Sequence, residues 1–278
     1  MKRSTVKSAG RTMEILELFE NERRPLRLHD IYQKLGYPQS SASNLLKSMV
    51  MMGYLNYSHV TWTYLPTARV GKLGAWLLSF IYGQRDYDGL IERIQRETDE
   101  TAVLATQNDL FVQYVSVRQP DHKFKIPPPE GVLRVMTRSS AGLALMSEMP
   151  HQQIEKLLRQ IHYYELSGEA SLDLETTMRE INWVKQTGYC LLKESIPGGS
   201  SIAFPLPGVH HGIPMAIGVG GTTERISLKQ VEIVDIVKKA VTEFCQEGER
   251  EDPTFREDAT KENLTSSGET NAGYKSLY

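Results

Sequence analysis

The chain has 278 residues, is 40% hydrophobic and 24% charged, and carries a formal net charge of −2. That length exceeds one typical domain and implies two. No apolar run is long enough to cross a bilayer, and the start MKRSTVKSAGRT lacks the apolar centre of a signal peptide, so no membrane contact and a cytoplasmic location are expected.

The charge is unevenly placed. Residues 1–76 hold 11 Lys and Arg against 5 Asp and Glu, a net of +6, which leaves −8 for the remainder. A basic front and an acidic back suggest that only the front meets a polyanion. Cys190 and Cys245 are the only cysteines; they form no metal-spaced set, so buried thiols are expected.

Residues 1–11 contain Lys2, Arg3, Lys7 and Arg11 and no acid. They read either as a flexible basic arm for phosphates or a minor groove, or as a frayed terminus. A first helix is predicted over residues 9–21 from Met13, Ile15, Leu16, Leu18 and Phe19, with Pro25 breaking it. Leu28, Ile31, Tyr32 and Leu35 repeat at helical spacing and predict a second, short helix. Gly36 suits the left-handed residue that ends it, and Tyr37-Pro38 opens a new segment, because proline fits a first helical turn.

Residues 38–53, PQSSASNLLKSMVMMG, split cleanly at helical spacing. Ala42, Leu45, Leu46 and Met49 make an apolar stripe. Ser40, Ser43, Asn44 and Lys47 take the opposite face, with Gln39 and Ser41 at the amino-terminal end. Short helix, glycine turn, then a polar-tipped helix is the helix-turn-helix pattern, and such a tip can read base edges in the major groove. Two short strands follow, Leu55-Asn56-Tyr57 and Trp62-Thr63-Tyr64-Leu65, joined at Ser58-His59-Val60-Thr61. A hairpin there is a wing, whose His59 and Thr61 can touch phosphate or a minor groove; Trp62 is expected in the core.

The run LRLHDIYQKLGYPQSSASNLLKSMVMMGYL, a hairpin, then YLPTARVGKLGAWLL resembles the winged helix of the IclR family of bacterial transcriptional regulators. The resemblance extends over most of residues 9–248. It implies a linker helix leading to a separate effector-binding domain, and homodimers that can pair as dimers of dimers, giving tetramers. Val70, Leu73, Leu77 and Phe80 space an apolar seam along that helix. Gly71 and Gly74 weaken it, so packing against a neighbour is expected to hold it.

From residue 88 the character changes. LIERIQRETDET reads as helix. Residues 102–106 and 111–117 read as strands around an Asn108-Asp109 turn. Residues 123–136 contain Pro127, Pro128 and Pro129 and hold a loop with at most an edge strand. Ser139-Ser140-Ala141-Gly142 opens a helix, and further helices are predicted over 151–163 and 172–187, the latter capped by Gly188. Strands over 189–192, 201–206 and 213–219 and a helix over 228–244 complete the pattern. The fold class is α+β: a winged helix-turn-helix over 1–66, a linker helix over 67–86, and a GAF-like α/β effector-binding domain over 87–248. Residues 249–278 are polar and aperiodic and read as a disordered tail.

VMTRSSAGLALMS, KQTGYCLLKE and PGGSSIAFPLPGVHHGIPMAIGVGG resemble the family's pocket-forming stretches. Ser139 and Ser140 stand at a helix start, where free N–H groups favour an anion. Ala141 and Gly142 follow, and Gly142 would let a ligand approach the backbone. Ser200 and Ser201 leave a glycine turn, and serines that cap or turn are the structural alternative. The resemblance implies that members binding small oxo-acids carry cysteine at Ser201, serines at Gly218 and Gly220, and an acid near Leu192 or Lys193. Here only Ser201 keeps a polar equivalent, so the ligand is expected to be larger or less polar than a two- or three-carbon oxo-acid, or Lys193 supplies the anion contact.

The adjacent His210 and His211 have no third ligand near, so no metal is expected. There is no nucleophile elbow, Walker loop or supported carboxylate pair, hence no catalytic residue, no cofactor and no enzyme. The expected function is a transcriptional regulator whose affinity for double-stranded operator DNA is tuned by a small-molecule effector, an organic acid or related catabolite. The alternative is a DNA-binding protein whose back domain only oligomerises.

Overall fold

The structure is a computed structural model that describes residues 6–82, 85–121, 128–165, 173–207 and 213–251. Arg3, His210, His211 and residues 252–278 of the expected tail lie outside them. The chain divides into two compact units, Met1–Phe80 and Ile81–Tyr278.

In the first unit α1 is Lys7–Glu22, β1 Leu26–Arg27, α2 Leu28–Leu35, α3 Gln39–Met51, β2 Leu55–Ser58 and β3 Thr63–Pro66, and α4, Ala68–Tyr82, begins in it and ends two residues past its boundary. Asp30 fastens the start of α2 by accepting the Arg27 N–H at 3.0 Å, and Gly36 ends the helix at φ 65°. Pro38 stands one residue before α3, as its N-cap, rather than within its first turn. The core gathers Ile15, Phe19, Leu26, Ile31, Leu46, Met49, Leu55 and Tyr64. Three of the four stripe residues of α3, Ala42, Leu46 and Met49, are buried. The sheet order β1-β3-β2 adds a strand that periodicity did not predict: two residues have no period of their own, and only the pairing of Leu26 with Tyr64 and of Arg27 with Thr63 defines β1.

The second unit contains α5 Tyr87–Thr98, β4 Thr101–Asn108, β5 Phe111–Arg118, β6 Leu133–Val135, a 3-10 turn Met136–Arg138, α6 Ser140–Ser147, α7 His151–Glu165, α8 Leu174–Thr187, β7 Cys190–Ile196, β8 Gly199–Leu206, β9 Met215–Thr222, α9 Thr223–Leu228 and α10 Gln230–Glu251. The expected tail thus begins inside α10. The six strands form one antiparallel sheet, ordered β6-β5-β4-β9-β8-β7. As expected after the proline run, β6 is the edge strand.

Period-two alternation sends side chains to two cores. Ile202, Phe204, Ile217 and Val219 pack with α5 and α10. Ala203 and Ala216 pack with α6, α7 and α8 on the other face. Helix α9 and the last turns of α10 exceed the sequence reading, which predicted one helix over 228–244 and none over the residues just before it. Cys190 is buried, and burial pushes its thiol up to about 12, which makes it inert. Cys245 is only half-buried, against expectation.

Candidate functional site

Gln39, Ser40, Asn44 and Lys47 are exposed on α3, with Ser43 half-buried beside them. Ser41 is engaged within the chain: its Oγ accepts from Arg11 Nη1 at 2.8 Å. The Arg11 guanidinium stacks 4.7 Å from the Tyr37 ring centroid, and the Tyr37 hydroxyl donates to Glu14. Lys7 and Arg11 therefore lie in the first turns of α1, not in a flexible arm, because the helix begins at Lys7. His59 and Thr61 are exposed at the wing tip. Trp62 is not in the core; it is 66% exposed, because the loop turns it outward at φ 59°. Between Asp30 and Asp86 the chain contains no acidic residue, so α3 and the wing themselves contribute only positive formal charge. Arg69, which the sequence reading passed over, adds to it while packed 4.9 Å from the Tyr54 ring.

A second site opens in the other unit. Thr101, Val103, Gly218, Gly220 and Ser201 form its floor, the start of α6 one wall, and Tyr114, Arg134 and Arg138 the side near β6. The β7–β8 turn supplies Ser195, Ile196 and Gly199. The cleft encloses about 570 Å³ including its open mouth. Register builds the floor: Gly220 pairs with Thr101 on one side and Ser201 on the other, and Gly218 with Val103 and Ala203. A hydroxyl chain crosses it, with Ser140 and Ser201 Oγ atoms 2.8 Å apart and Ser201 donating to Ser195 at 3.4 Å. The Tyr114 hydroxyl lies 3.3 Å from Ser139 Oγ, and the Arg134 guanidinium 6.0 Å from the Tyr114 ring.

Seven residues named from sequence line this cleft: Ser139, Ser140, Ala141, Ser200, Ser201, Gly218 and Gly220. Their roles differ from expectation in several places. The Ser200 hydroxyl is committed to structure, donating to Thr223 Oγ1 at 2.9 Å and accepting the Glu194 N–H at 3.2 Å. Gly142 faces no ligand: a Cβ there would sit 2.1 Å from the Met136 carbonyl, so the glycine serves the packing of α6 on the 3-10 turn. Gly218 opens no volume, because Val103 Cγ2 occupies the space 2.8 Å from where its Cβ would be. Gly220 is open, with its nearest neighbours at 3.8 Å.

Leu192 packs against the α6–α8 core, Lys193 is exposed, and neither lines the cleft. The cations at the cleft are Arg134 and Arg138. No periodic signal marked them, since they follow a proline run; only their place just before the SSAG segment could have drawn attention. Among the described residues no group of three His, Cys, Asp or Glu could hold a metal ion, and no helix is long and apolar enough to cross a membrane.

The family model for the IclR helix-turn-helix domain matches residues 8–59, and that for the C-terminal part of bacterial transcriptional regulator IclR matches residues 85–246. The transcriptional repressor IclR of Escherichia coli is 24% identical over 175 residues, 57% of this chain and 60% of that protein, so the match spans less than two thirds of the repressor. The HTH-type transcriptional regulator BhcR of Paracoccus denitrificans is 24% identical over 226 residues, 80% of each chain. The fold is shared with an IclR homologue from Microbacterium hydrocarbonoxydans at TM-score 0.57 and 19% identity, over 85% of this chain and 97% of that one. These relatives are regulators and not enzymes. The chain belongs to the IclR family of DNA-binding bacterial transcriptional regulators.

Proposed function

We propose that the chain binds operator DNA as a symmetric dimer, through α3 in the major groove, and is switched by an organic acid in the cleft of the second unit. The observation that carries this is the exposed, acid-free polar face of α3. Gln39, Ser40, Ser43 and Asn44 read base edges, and Lys7, Lys47, His59 and Thr61 hold phosphate or the groove rim. Ser41 and Arg11 act differently from a direct reader, bracing α3 against α1.

One such domain reads few base pairs, and a two-fold dimer on a palindrome supplies the rest. The seam of α4 fits a second copy: Leu73, Trp76, Leu77 and Phe80 are exposed, and Gly71 and Gly74 have open space beside them. Pairs of dimers would make the tetramer. The working domains are the winged helix over 1–66, the linker over 67–86 and the sensor over 87–248.

In the cleft, Arg134 and Arg138 favour a carboxylate, while Ser140 and Ser201 meet a second oxygen of the ligand. The Microbacterium homologue was crystallised with 4-hydroxybenzoate, an organic acid larger than glyoxylate or pyruvate, and the opening at Gly220 favours that size class here too. The acid shifts DNA affinity by binding the two arrangements of the dimer unequally. The test is selection of duplexes from a random library by the full chain, then gel shifts with a panel of aliphatic and aromatic acids. A palindromic consensus and one acid class that changes affinity are expected. Enrichment of no sequence, or a dimer unaffected by every acid while calorimetry finds none bound, would refute it.

A further inference from the structure

The wing tip carries a residue that folding does not explain. Strands β2 and β3 close with Ser58 opposite Thr63, leaving His59, Val60, Thr61 and Trp62 as the loop. The Trp62 N–H donates to the Ser58 carbonyl at 2.8 Å, and the Thr61 N–H donates to Ser58 Oγ at 3.3 Å. The Thr61 and Thr63 hydroxyls lie 2.7 Å apart. Tyr57 packs edge-on against His59, ring centroids 4.9 Å apart, and tilted against Tyr64 at 4.7 Å. The tip is held in one shape.

In that shape Trp62 has φ 59°, the left-handed region where glycine or asparagine rests easily and a bulky side chain is strained. Its side chain is nonetheless turned outward, and Val60 beside it is 89% exposed. An indole here neither fills a core nor eases the turn. Backbone strain retained without a packing return points to function.

We propose that Trp62, with Val60, is an apolar wedge that enters the minor groove beside the major groove occupied by α3 and opens one base step of the operator. This rests on the seating of α3 proposed above. Two observations favour DNA as the occupant over a protein partner. The wing lies inside the segment between Asp30 and Asp86 that has no acidic residue and holds Lys34, Lys47, Arg69, Lys72 and Arg85. Its reach also fits: β2 starts at Leu55, four residues beyond the end of α3 at Met51. Its four extended residues carry the tip about 13 Å, close to the major groove's width of about 12 Å. The tip then arrives at the phosphate ridge and the neighbouring minor groove. Apolar side chains inserted there unstack a step and kink the duplex toward the major groove. Flexible pyrimidine–purine steps yield most easily, so the wedge also selects sequence at a position α3 does not touch.

The test uses the full chain and a 40-base-pair duplex recovered by selection from a random library. Trp76→Phe with Trp183→Phe leaves Trp62 as the sole indole of the three tryptophans; its emission is expected to be strongly quenched at saturating duplex. Trp62→Gly relieves the strain, so this variant is expected to melt at the same or a higher temperature. It should bind about ten-fold more weakly, with an unchanged salt slope, because no phosphate contact is lost, and an end-labelled duplex should be straighter. Unchanged Trp62 emission at saturation, or a Trp62→Gly variant with wild-type affinity and bend, would overturn the wedge alone. A Lys47→Ala variant binding as tightly as wild type would overturn the seating of α3, and the wedge's position with it.

Discussion

The hydroxyls of Ser140 and Ser201 lie 2.8 Å apart and tie the first residue of α6 to β8 across the floor of the cleft. Ser201 donates to Ser195, so its one proton is used there and it accepts from Ser140, which makes a chain of hydroxyls in one direction. An incoming carboxylate or hydroxyl has to replace part of this chain. Ser201→Ala removes it, leaving Ser140, which is 3% exposed, short of its partner. The expected loss of stability is about 1 kcal/mol, the typical net worth of one such bond. The loss in affinity for the acid identified by the panel is expected to exceed that. Thermal melts with and without that acid give both numbers, and equal losses would mean the pair is structural only.

The three glycines of the cleft region separate by what surrounds them. Gly220→Ser places its Cβ at ordinary contact distance and is expected to fold normally while narrowing the cleft. Gly218→Ser drives its Cβ to 2.8 Å from Val103 Cγ2, a buried methyl that can yield only by turning about χ1 or by a small backbone shift, and should cost about 1–2 kcal/mol. Gly142→Ala meets the Met136 backbone at 2.1 Å, which cannot swing aside, and should cost about 3 kcal/mol or more. Denaturant midpoints would rank them; a Gly142→Ala variant as stable as wild type would refute the packing role.

How much of this was legible beforehand depended on whether a residue's neighbours lie close in sequence. The apolar stripe of α3 and the turn between β4 and β5 carry local patterns; the stripe stands where its period put it, and the turn lies one residue later than expected, at Asp109-Leu110, because Asn108 still pairs with Phe111, with Asp109 at φ 57°. Ser140 and Ser201 could be named as cleft residues because glycine turns and helix starts are local signals. Their pairing across 61 positions of chain was not readable. Nor was the occupation of Gly218's space by Val103, which depends on the register of β4 against β9. Trp62 was misplaced because aromatic residues in strands are usually core; the left-handed turn that expels it has no signature without glycine or asparagine.

Helix α8 should respond to acid through Asp173. Its carboxylate accepts from the Thr176 hydroxyl and from the N–H groups of Thr176 and Glu175. These bonds, the hydroxyl first, hold its carboxyl below the usual range. A depressed folded pKa means the contribution is fully present above the unfolded value of about 3.9 and disappears as pH falls through the lower folded value. Asp173→Asn keeps an acceptor but does not titrate. Between pH 6 and pH 2 its denaturant midpoint should fall less steeply than wild type; parallel curves would refute the assignment.

Lys47 and Asn44 should separate affinity from specificity. Lys47→Ala loses one phosphate contact, so binding weakens on all sequences alike and the slope of log K against log salt shrinks by about 1. Asn44→Ala loses a bidentate amide, so selection with this variant should relax one base position, at about 1–3 kcal/mol for the correct base, with the salt slope intact. A changed salt slope in Asn44→Ala, with no relaxed position, would place Asn44 on the backbone instead.

Glu100 tests whether the sheet end beneath the cleft is held by charge. Its carboxylate is fully buried. It receives Arg225 Nε and Nη2 at 2.7 and 2.9 Å, and Lys229 Nζ stands 3.8 Å away. Gly221 permits this: a Cβ there would lie 2.3 Å from Glu100 Oε2. The partners are unequal, because the Arg225 side chain is 27% exposed and can rehydrate when alone. Arg225→Met leaves the buried carboxylate with only the longer contact to Lys229 and should cost about 3 kcal/mol. Glu100→Gln leaves a guanidinium that reaches water, and should cost about half that. The double variant removes both charges and is expected to recover much of the larger loss, a coupling that a double-mutant cycle on denaturant midpoints measures. Additive losses would show that the two side chains act separately, and that packing rather than charge fixes α9 to the start of β4.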